Sequence, residues 1–227
     1  MAPTPTVLDC ELYEEPLAAR LLDVAPSTLH WWLEGRDQYL PVLRAEPNGS
    51  RVVTWGEFVE ARYLREYRRT HHVPLGKLRD FIAYLRRELG VPYPLATARP
   101  WVGPDRRLFI NAQDESGLEP DWWACVEPQT GVMLLTYPAE SFLERVEFDD
   151  TAGVVSRLHP AGRESPVVID PEIRFGSPAV RGIPTENIAE QVSAGDSVES
   201  VAADFDLPLN VAIAALNYED PGSEQAA

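Results

Sequence analysis

Leu17-Ala18-Ala19-Arg20-Leu21-Leu22-Asp23-Val24-Ala25-Pro26-Ser27-Thr28-Leu29-His30-Trp31-Trp32-Leu33-Glu34-Gly35 is the stretch that decides how the front of this 227-residue chain folds. Pro16 stands just ahead of it, near a helix start, where a missing N–H costs least. Asp23 to Pro26 interrupts the apolar pattern. Ser27 is a good N-cap for a second helix, and Gly35 ends it. Two short helices and a tight turn, sharing Leu17, Leu21, Leu22, Leu29 and Trp32 as a small core, make a helix-turn-helix pattern.

Working outward, residues 1–12 show no period and read as a loose arm. Tyr39–Arg44 and Arg51–Thr54 are β-like runs joined by a loop that contains Asn48-Gly49, a strong hairpin signal, so this segment reads as a wing. Thr54 and Glu57 fit a capping box. The helix they open runs to about Arg69, with Trp55, Phe58, Ala61 and Leu64 on one face. Pro74 opens a further helix with Leu78, Phe81, Ile82, Leu85 and Leu89 inward, and Gly90 closes it.

From Val91 the texture changes. Prolines punctuate short apolar runs at Leu95–Thr97, Leu108–Asn111, Val132–Tyr137 and Arg145–Phe148, which predicts a β-rich middle region. Trp122-Trp123-Ala124 and Ser141–Leu143 read as short helical pieces, and Ala161–Pro166 as a linker. Val167–Pro171 reads as a strand, followed by a Gly/Pro-rich loop over Phe175–Pro184. Three short helices then begin at Thr185, Ser197 and Leu209, the last running to about Glu219. The expected fold class is α+β: a winged helix-turn-helix over 1–90, a β-rich region over 91–165, a helical domain over 166–219 and a tail over 220–227.

Charge divides the chain more sharply than hydropathy does. The formal net charge is −16, yet residues 51–90 carry 9 basic against 5 acidic side chains, while residues 91–227 carry 8 against 23. The acidic part repels phosphate, so any nucleic-acid contact belongs to the front third. An acidic face suits a basic partner. The start of the chain is acidic, with no Lys or Arg before Arg20, unlike a secretory signal. Cys10 and Cys125 make no disulfide framework, in keeping with a reducing cytosol. No apolar run approaches the roughly 20 residues of a membrane helix.

Catalytic motifs are absent. There is no GxSxG, P-loop, GxGxxG, HExxH or CxxC. His30, His71, His72 and His159 form no ligand cluster with the cysteines, so no metal and no cofactor are expected. Asp149-Asp150 reads as a turn. The chain therefore reads as a non-enzyme.

The order of elements around Leu17–Trp32 and Thr54–Phe58 resembles the MerR-type winged helix. The resemblance implies that the second helix enters the major groove and the wing grips the DNA backbone. Carried over, Ser27, Thr28, His30 and Trp31 face bases or phosphates, and Arg36, Arg44 and Arg51 lie near the backbone. The family often has Arg or Lys where this chain has Ser27 and His30, so bidentate guanine readout there is lost.

A second resemblance covers about residues 167–219: Asp170-Pro171-Glu172-Ile173-Arg174-Phe175-Gly176-Ser177-Pro178-Ala179-Val180-Arg181-Gly182, then Pro184-Thr185-Glu186-Asn187-Ile188-Ala189-Glu190, the Ala194-Gly195-Asp196-Ser197 turn and a closing Ala212–Tyr218 helix. It looks like a helix-turn-helix domain of unknown function found in VapB-type antitoxins. The family usually places Thr-Arg after the second loop glycine, whereas Gly182 here runs straight into Ile183-Pro184. The whole chain is similar to the longer mycobacterial-type members. That implies a cytoplasmic antitoxin that inhibits a PIN-fold ribonuclease toxin and, as a homodimer, binds operator DNA. Candidate partner-binding residues are Arg174, Arg181, Asp220 and Glu224. A ligand-responsive MerR-like regulator, with Trp101, Trp122 and Trp123 in a sensor pocket, is the alternative.

Overall fold

The computed structural model describes residues 6–70, 72–97, 115–117, 125–126, 133–134 and 137–220. The fold is mixed α+β with small two-stranded sheets. It forms two compact units, Met1–Leu143 with Phe148–Val155, and Glu144–Glu147 with Ser156–Ala227. In order, the elements of the first are β1 (Glu11–Glu14), α1 (Glu15–Leu21), α2 (Pro26–Glu34), β2 (Val52–Thr54), α3 (Trp55–Thr70), α4 (Leu75–Leu89), β3 (Cys125–Val126) and β4 (Met133–Leu134). The helix α5 (Tyr137–Arg145) and the strands β5 (Val146–Phe148) and β6 (Val155–Leu158) span the change of unit. The second unit continues with β7 (Ala179–Val180), β8 (Ile183–Pro184), α6 (Thr185–Ser193), α7 (Val198–Asp204) and α8 (Leu209–Glu219).

In the first unit α1 and α2 form the expected pair. The chain leaves α1 through Asp23 in the left-handed region (φ 50). Asp23 N–H donates to Arg20 O (3.0 Å) and Val24 N–H to Ala19 O (3.0 Å), which is a Schellman closure. Pro26 begins α2 rather than breaking the chain before it, because its missing N–H falls among the unpaired first-turn donors, and Ala25, not Ser27, is the N-cap. Leu22, Leu29 and Trp32 are buried as expected, whereas Leu17 is exposed. Gly35 (φ 78) ends α2 where a Cβ would meet Tyr39 O at 2.4 Å.

The loose arm is ordered from residue 6: Thr6 and Asp9 cap a 3-10 turn, and β1 follows. Tyr13, buried, packs on Phe58 with ring centroids 4.8 Å apart. The wing hairpin is not formed. β2 pairs antiparallel with β1, as Glu11 with Thr54, Tyr13 with Val53 and Glu14 with Val52. Residues 39–44 instead fold back on α2. The N–H groups of Val42 and Leu43 both donate to Trp32 O (2.9 and 3.0 Å), and both side chains are buried. Burying those two apolar side chains against the end of α2 outweighs a ladder that Pro41, lacking an N–H, would interrupt.

The capping box at α3 is present: Thr54 N–H donates to Glu57 Oε2 (2.9 Å) and Glu57 N–H to Thr54 Oγ1 (3.2 Å). Trp55, Phe58, Ala61 and Leu64 are buried, and so are Leu78, Phe81, Ile82, Leu85 and Leu89 of α4. Trp55 Nε1–H reaches Val155 O (2.7 Å), and Tyr63 meets Phe142 edge-on at 5.3 Å. Leu95–Thr97, expected as a strand, is a 3-10 turn over Pro94–Ala96 with Thr97 bridged to Val154. Asp149 caps its own turn, accepting from the N–H groups of Thr151 and Ala152. Ser141–Leu143 lies in α5. Residues 108–111 and 122–124 fall outside the described residues.

Residues 161–166, read above as a linker, lie inside the second unit. Arg163 ties them there, donating to Glu144 O (2.7 Å) and Val146 O (2.8 Å). Residues 167–170 are extended, bridged by Ile169 to Leu158 and by Val168 to Ala179. β7 and β8 close a tight hairpin on Arg181 (φ 49) and Gly182 (φ 79), a two-residue turn with both φ values positive. The helices α6, α7 and α8 pack around Val167, Val180, Ile188, Val201, Leu207, Val211 and Ala215. Thr185, buried, anchors α6 by donating to Pro178 O from its N–H (2.9 Å) and its hydroxyl (3.2 Å).

Candidate functional site

The nucleic-acid candidates gather around α2 in the first unit. Ser27 is exposed in the first turn of α2, and Thr28 is half-buried beside it. Trp31 is exposed (40%), and the Arg36 guanidinium stacks over its ring at 4.3 Å. Arg51, with its side chain 72% exposed, and the half-buried His30 converge on one carboxylate. Glu15 Oε2 accepts from Arg51 at 2.7 Å, and Glu15 Oε1 lies 3.1 Å from His30 Nδ1. Burial pushes the Glu15 carboxyl up, but the hydrogen bonds from His30 and Arg51 outweigh it and hold the group below its ordinary value.

Arg44, expected near the DNA backbone, does not stand at the surface. It is buried (7%), and its guanidinium is fully engaged. Its Nε and Nη2 donate to Glu57 (2.7 and 3.3 Å), Nη1 to Glu34 and Asn48 Oδ1, and the group also meets Ser50 O and Val52 O. Burial works against its charge, but Glu57 and Glu34 more than offset that and fix the guanidinium as a cation. The loop from Asn48 to Val52 wraps this buried charge, where the MerR-type resemblance implied a wing gripping the DNA backbone.

Sequence reasoning also missed an arginine groove. Asp23, Thr28, Trp32, Arg65, Arg68 and Arg69 line an open cavity of about 390 Å³. Arg65 and Arg69 grip the Asp23 carboxylate, Arg65 at 2.7 Å, and these hydrogen bonds, Arg65's first, hold it below its ordinary value. Arg68 donates to Val73 O (2.8 Å). The signal was present: the spacing Arg62, Arg65, Arg68, Arg69 on α3 puts cations off its apolar face, but only the Asp23 corner gathers three of them at the start of α2.

In the second unit a cavity of about 200 Å³ is lined by Glu147, Arg157, Asp170, Ile173, Ala179 and Arg181, among others. Arg157 Nε donates to Asp170 Oδ2 (2.8 Å), a bond that holds the guanidinium charged beyond its usual range. His159 Nε2 is 2.7 Å from Glu147 Oε1. Arg181, which also lines the cavity, and Arg174 are exposed, and Arg174 Nε donates to Gly182 O (3.2 Å). Asp220 is exposed at the end of α8, and Glu224 lies outside the described residues. Among the described residues, no group of three or more His, Cys, Asp or Glu is placed to hold a metal ion, and no helix is long and apolar enough to cross a membrane.

The fold and these surfaces define an α+β protein with a helix-turn-helix-sized corner in each of two units. Residues 167–218, the helical part of the second unit, match the family model described as a protein of unknown function, DUF433. Along almost its whole length the chain is 33% identical to the uncharacterized protein Rv2308 of Mycobacterium tuberculosis, over 94% of this chain and 92% of that protein, and it belongs to that protein's family. It is also 26% identical, over 87% of this chain and 89% of the relative, to the Mycobacterium tuberculosis protein named "Putative antitoxin VapB45". The crystal structure of Rv2018 from Mycobacterium tuberculosis shares the fold, with a TM-score of 0.66 at 23% identity, over 93% of this chain and 99% of that one.

Proposed function

We propose that this chain is the antitoxin of a toxin–antitoxin pair, that it acts in the cytoplasm, and that it binds and inhibits a ribonuclease toxin of the PIN fold. The observation that carries the reading is the near full-length similarity to a relative that bears an antitoxin name. Two features support it. The charge is segregated, with residues 91–227 strongly acidic, and an RNA-holding partner is basic where it holds RNA, so complementarity speeds encounter and opposes wrong partners. The opposite charge balance over residues 51–90 supports a division of labour in which the first unit touches DNA.

On this reading Ser27, Thr28, Trp31, Arg36 and Arg51 meet operator DNA, with Arg65, Arg68 and Arg69 contributing along the groove beside Thr28. His30, held on Glu15, orients Arg51 rather than reading a base. A homodimer supplies two half-sites, because one such corner makes few base contacts. The test is co-expression with the polypeptide encoded beside this chain. The expected result is a complex that co-elutes on gel filtration and relieves ribonuclease toxicity. Separate elution of the two purified proteins, with toxicity undiminished, sinks the reading.

A further inference from the structure

The loop between residues 170 and 183 spends backbone strain to put particular side chains in water. Its ends are fixed: Ile169 and Val168 are bridged on both sides, and buried Asp170 accepts from Arg157 and from Glu172 N–H (2.9 Å). Between them Arg174 (φ 50), Phe175 (φ 54) and Gly176 (φ 71) are all left-handed, as is Arg181 (φ 49). The turn is held by Gly176 N–H to Ile173 O (3.0 Å), Ser177 N–H to Arg174 O (3.1 Å) and Arg174 Nε to Gly182 O. In this region a Cβ crowds the following carbonyl, and glycine escapes the clash. A sequence chosen for folding alone would carry glycine at 175. Instead the position holds a phenyl ring that is 86% exposed, beside the exposed Ile173.

The three strained non-glycine residues of this loop are therefore one aromatic and two arginines, all exposed, and Arg181 also lines the second unit's cavity. Aromatic rings and arginines are the side chains enriched at the energetic centres of protein interfaces. The surrounding charge narrows the partner. Arg174 and Arg181 are cations in the most acidic part of the chain, with Glu172 exposed nearby, a setting that disfavours nucleic acid. We propose that Phe175, flanked by Arg174 and Arg181, is the anchor by which the second unit docks on another polypeptide, one that offers an apolar pocket edged with carboxylates. The inference rests on the antitoxin reading for the identity of that polypeptide: it is the co-encoded partner and not a second copy of this chain.

The test uses the full chain and its Phe175→Gly variant, titrated calorimetrically against the polypeptide encoded beside it. Glycine suits the left-handed position, so the variant melts at the same temperature as wild type or higher, while partner affinity falls at least ten-fold. Arg174→Glu with Arg181→Glu lowers affinity in the same direction. If wild type binds and Phe175→Gly binds equally well, the anchor is overturned and the antitoxin reading stands. If wild type does not bind, the antitoxin reading fails and takes the anchor with it. If wild type self-associates by sedimentation and the glycine variant does not, the occupant is a second copy and the stated partner is wrong.

Discussion

At the end of α1 the chain turns on Asp23 (φ 50), and at the end of α7 it turns on Asp206 (φ 53). Both corners are Schellman closures. At the second, Asp206 N–H donates to Ala203 O (3.1 Å) and Leu207 N–H to Ala202 O (2.8 Å). In both, an apolar residue follows and a proline stands at the next helix start, Pro26 for α2 and Pro208 for α8. The surroundings differ. Asp23 is gripped by Arg65 and Arg69 from a distant helix, while Asp206 is exposed and, among the described residues, makes no ion pair. The first unit threads charge through its fold, with Arg44, Glu57 and Glu60 buried. The second packs its three helices on an aliphatic centre. The same local closure thus serves a charge-wired corner in one unit and an apolar corner in the other.

The sharpest way to break this contrast is Arg44→Ala. Removing the cation strands Glu57 and Glu34 in the interior, and breaking a buried pair from one side costs about 3–5 kcal/mol. Denaturant unfolding reads that loss, and a change below about 1 kcal/mol would show that the first unit does not depend on its buried charge. DNA-contact tests accordingly belong to Arg36 and Arg51, where a substitution leaves this network intact.

A smaller effect sharpens the contrast through pH. Glu60 is fully enclosed, with Oε1 accepting from Leu95 N–H (3.0 Å) and Oε2 3.5 Å from Arg86, a distance that leaves that oxygen without a hydrogen bond. Burial raises its carboxyl from 4.5 to about 7 against the opposing pull of Arg86. A raised carboxyl binds more protons folded than unfolded. Its contribution is therefore fully present below the unfolded value and is lost as pH rises through about 7, a change on the order of 3 kcal/mol. Glu60→Gln flattens that slope and stabilises the protein above neutral pH. Identical pH profiles for variant and wild type would refute the assignment.

The smallest effect compares the corners directly. Asp206→Gly relieves a left-handed aspartate and raises stability by about 0.5 kcal/mol. Asp23→Gly relieves the same strain but gives up two exposed ion pairs, worth up to about 1 kcal/mol each, and so gains nothing. Equal unfolding midpoints for the two variants would erase the distinction between the corners.

Local signals made much of this fold legible. The capping box Thr54–Glu57, the left-handed stop at Gly90, the apolar faces of α3 and α4, and the three C-terminal helices all follow from short-range patterns, and each lies where the periodicity placed it. The expected wing does not form: Asn48-Gly49 is a strong turn signal, yet strand pairing is a non-local choice. β2 found β1, about forty residues earlier in the chain, and the residues between them were drawn onto α2 by Val42 and Leu43. Arg44 was misassigned for the same reason, since nothing in its neighbourhood announces Glu34 and Glu57 as partners.

By itself the sequence determined the helices, their caps and the segregation of charge, because periodicity, capping and formal charge depend on residues within a turn or two of one another. Only the tertiary structure decided which arginines are buried and which meet solvent. It also decided that Asp23 would gather Arg65 and Arg69, and that Phe175 would stand in water. Those outcomes depend on which distant segments meet, and burial and Coulomb energy act through space rather than along the chain.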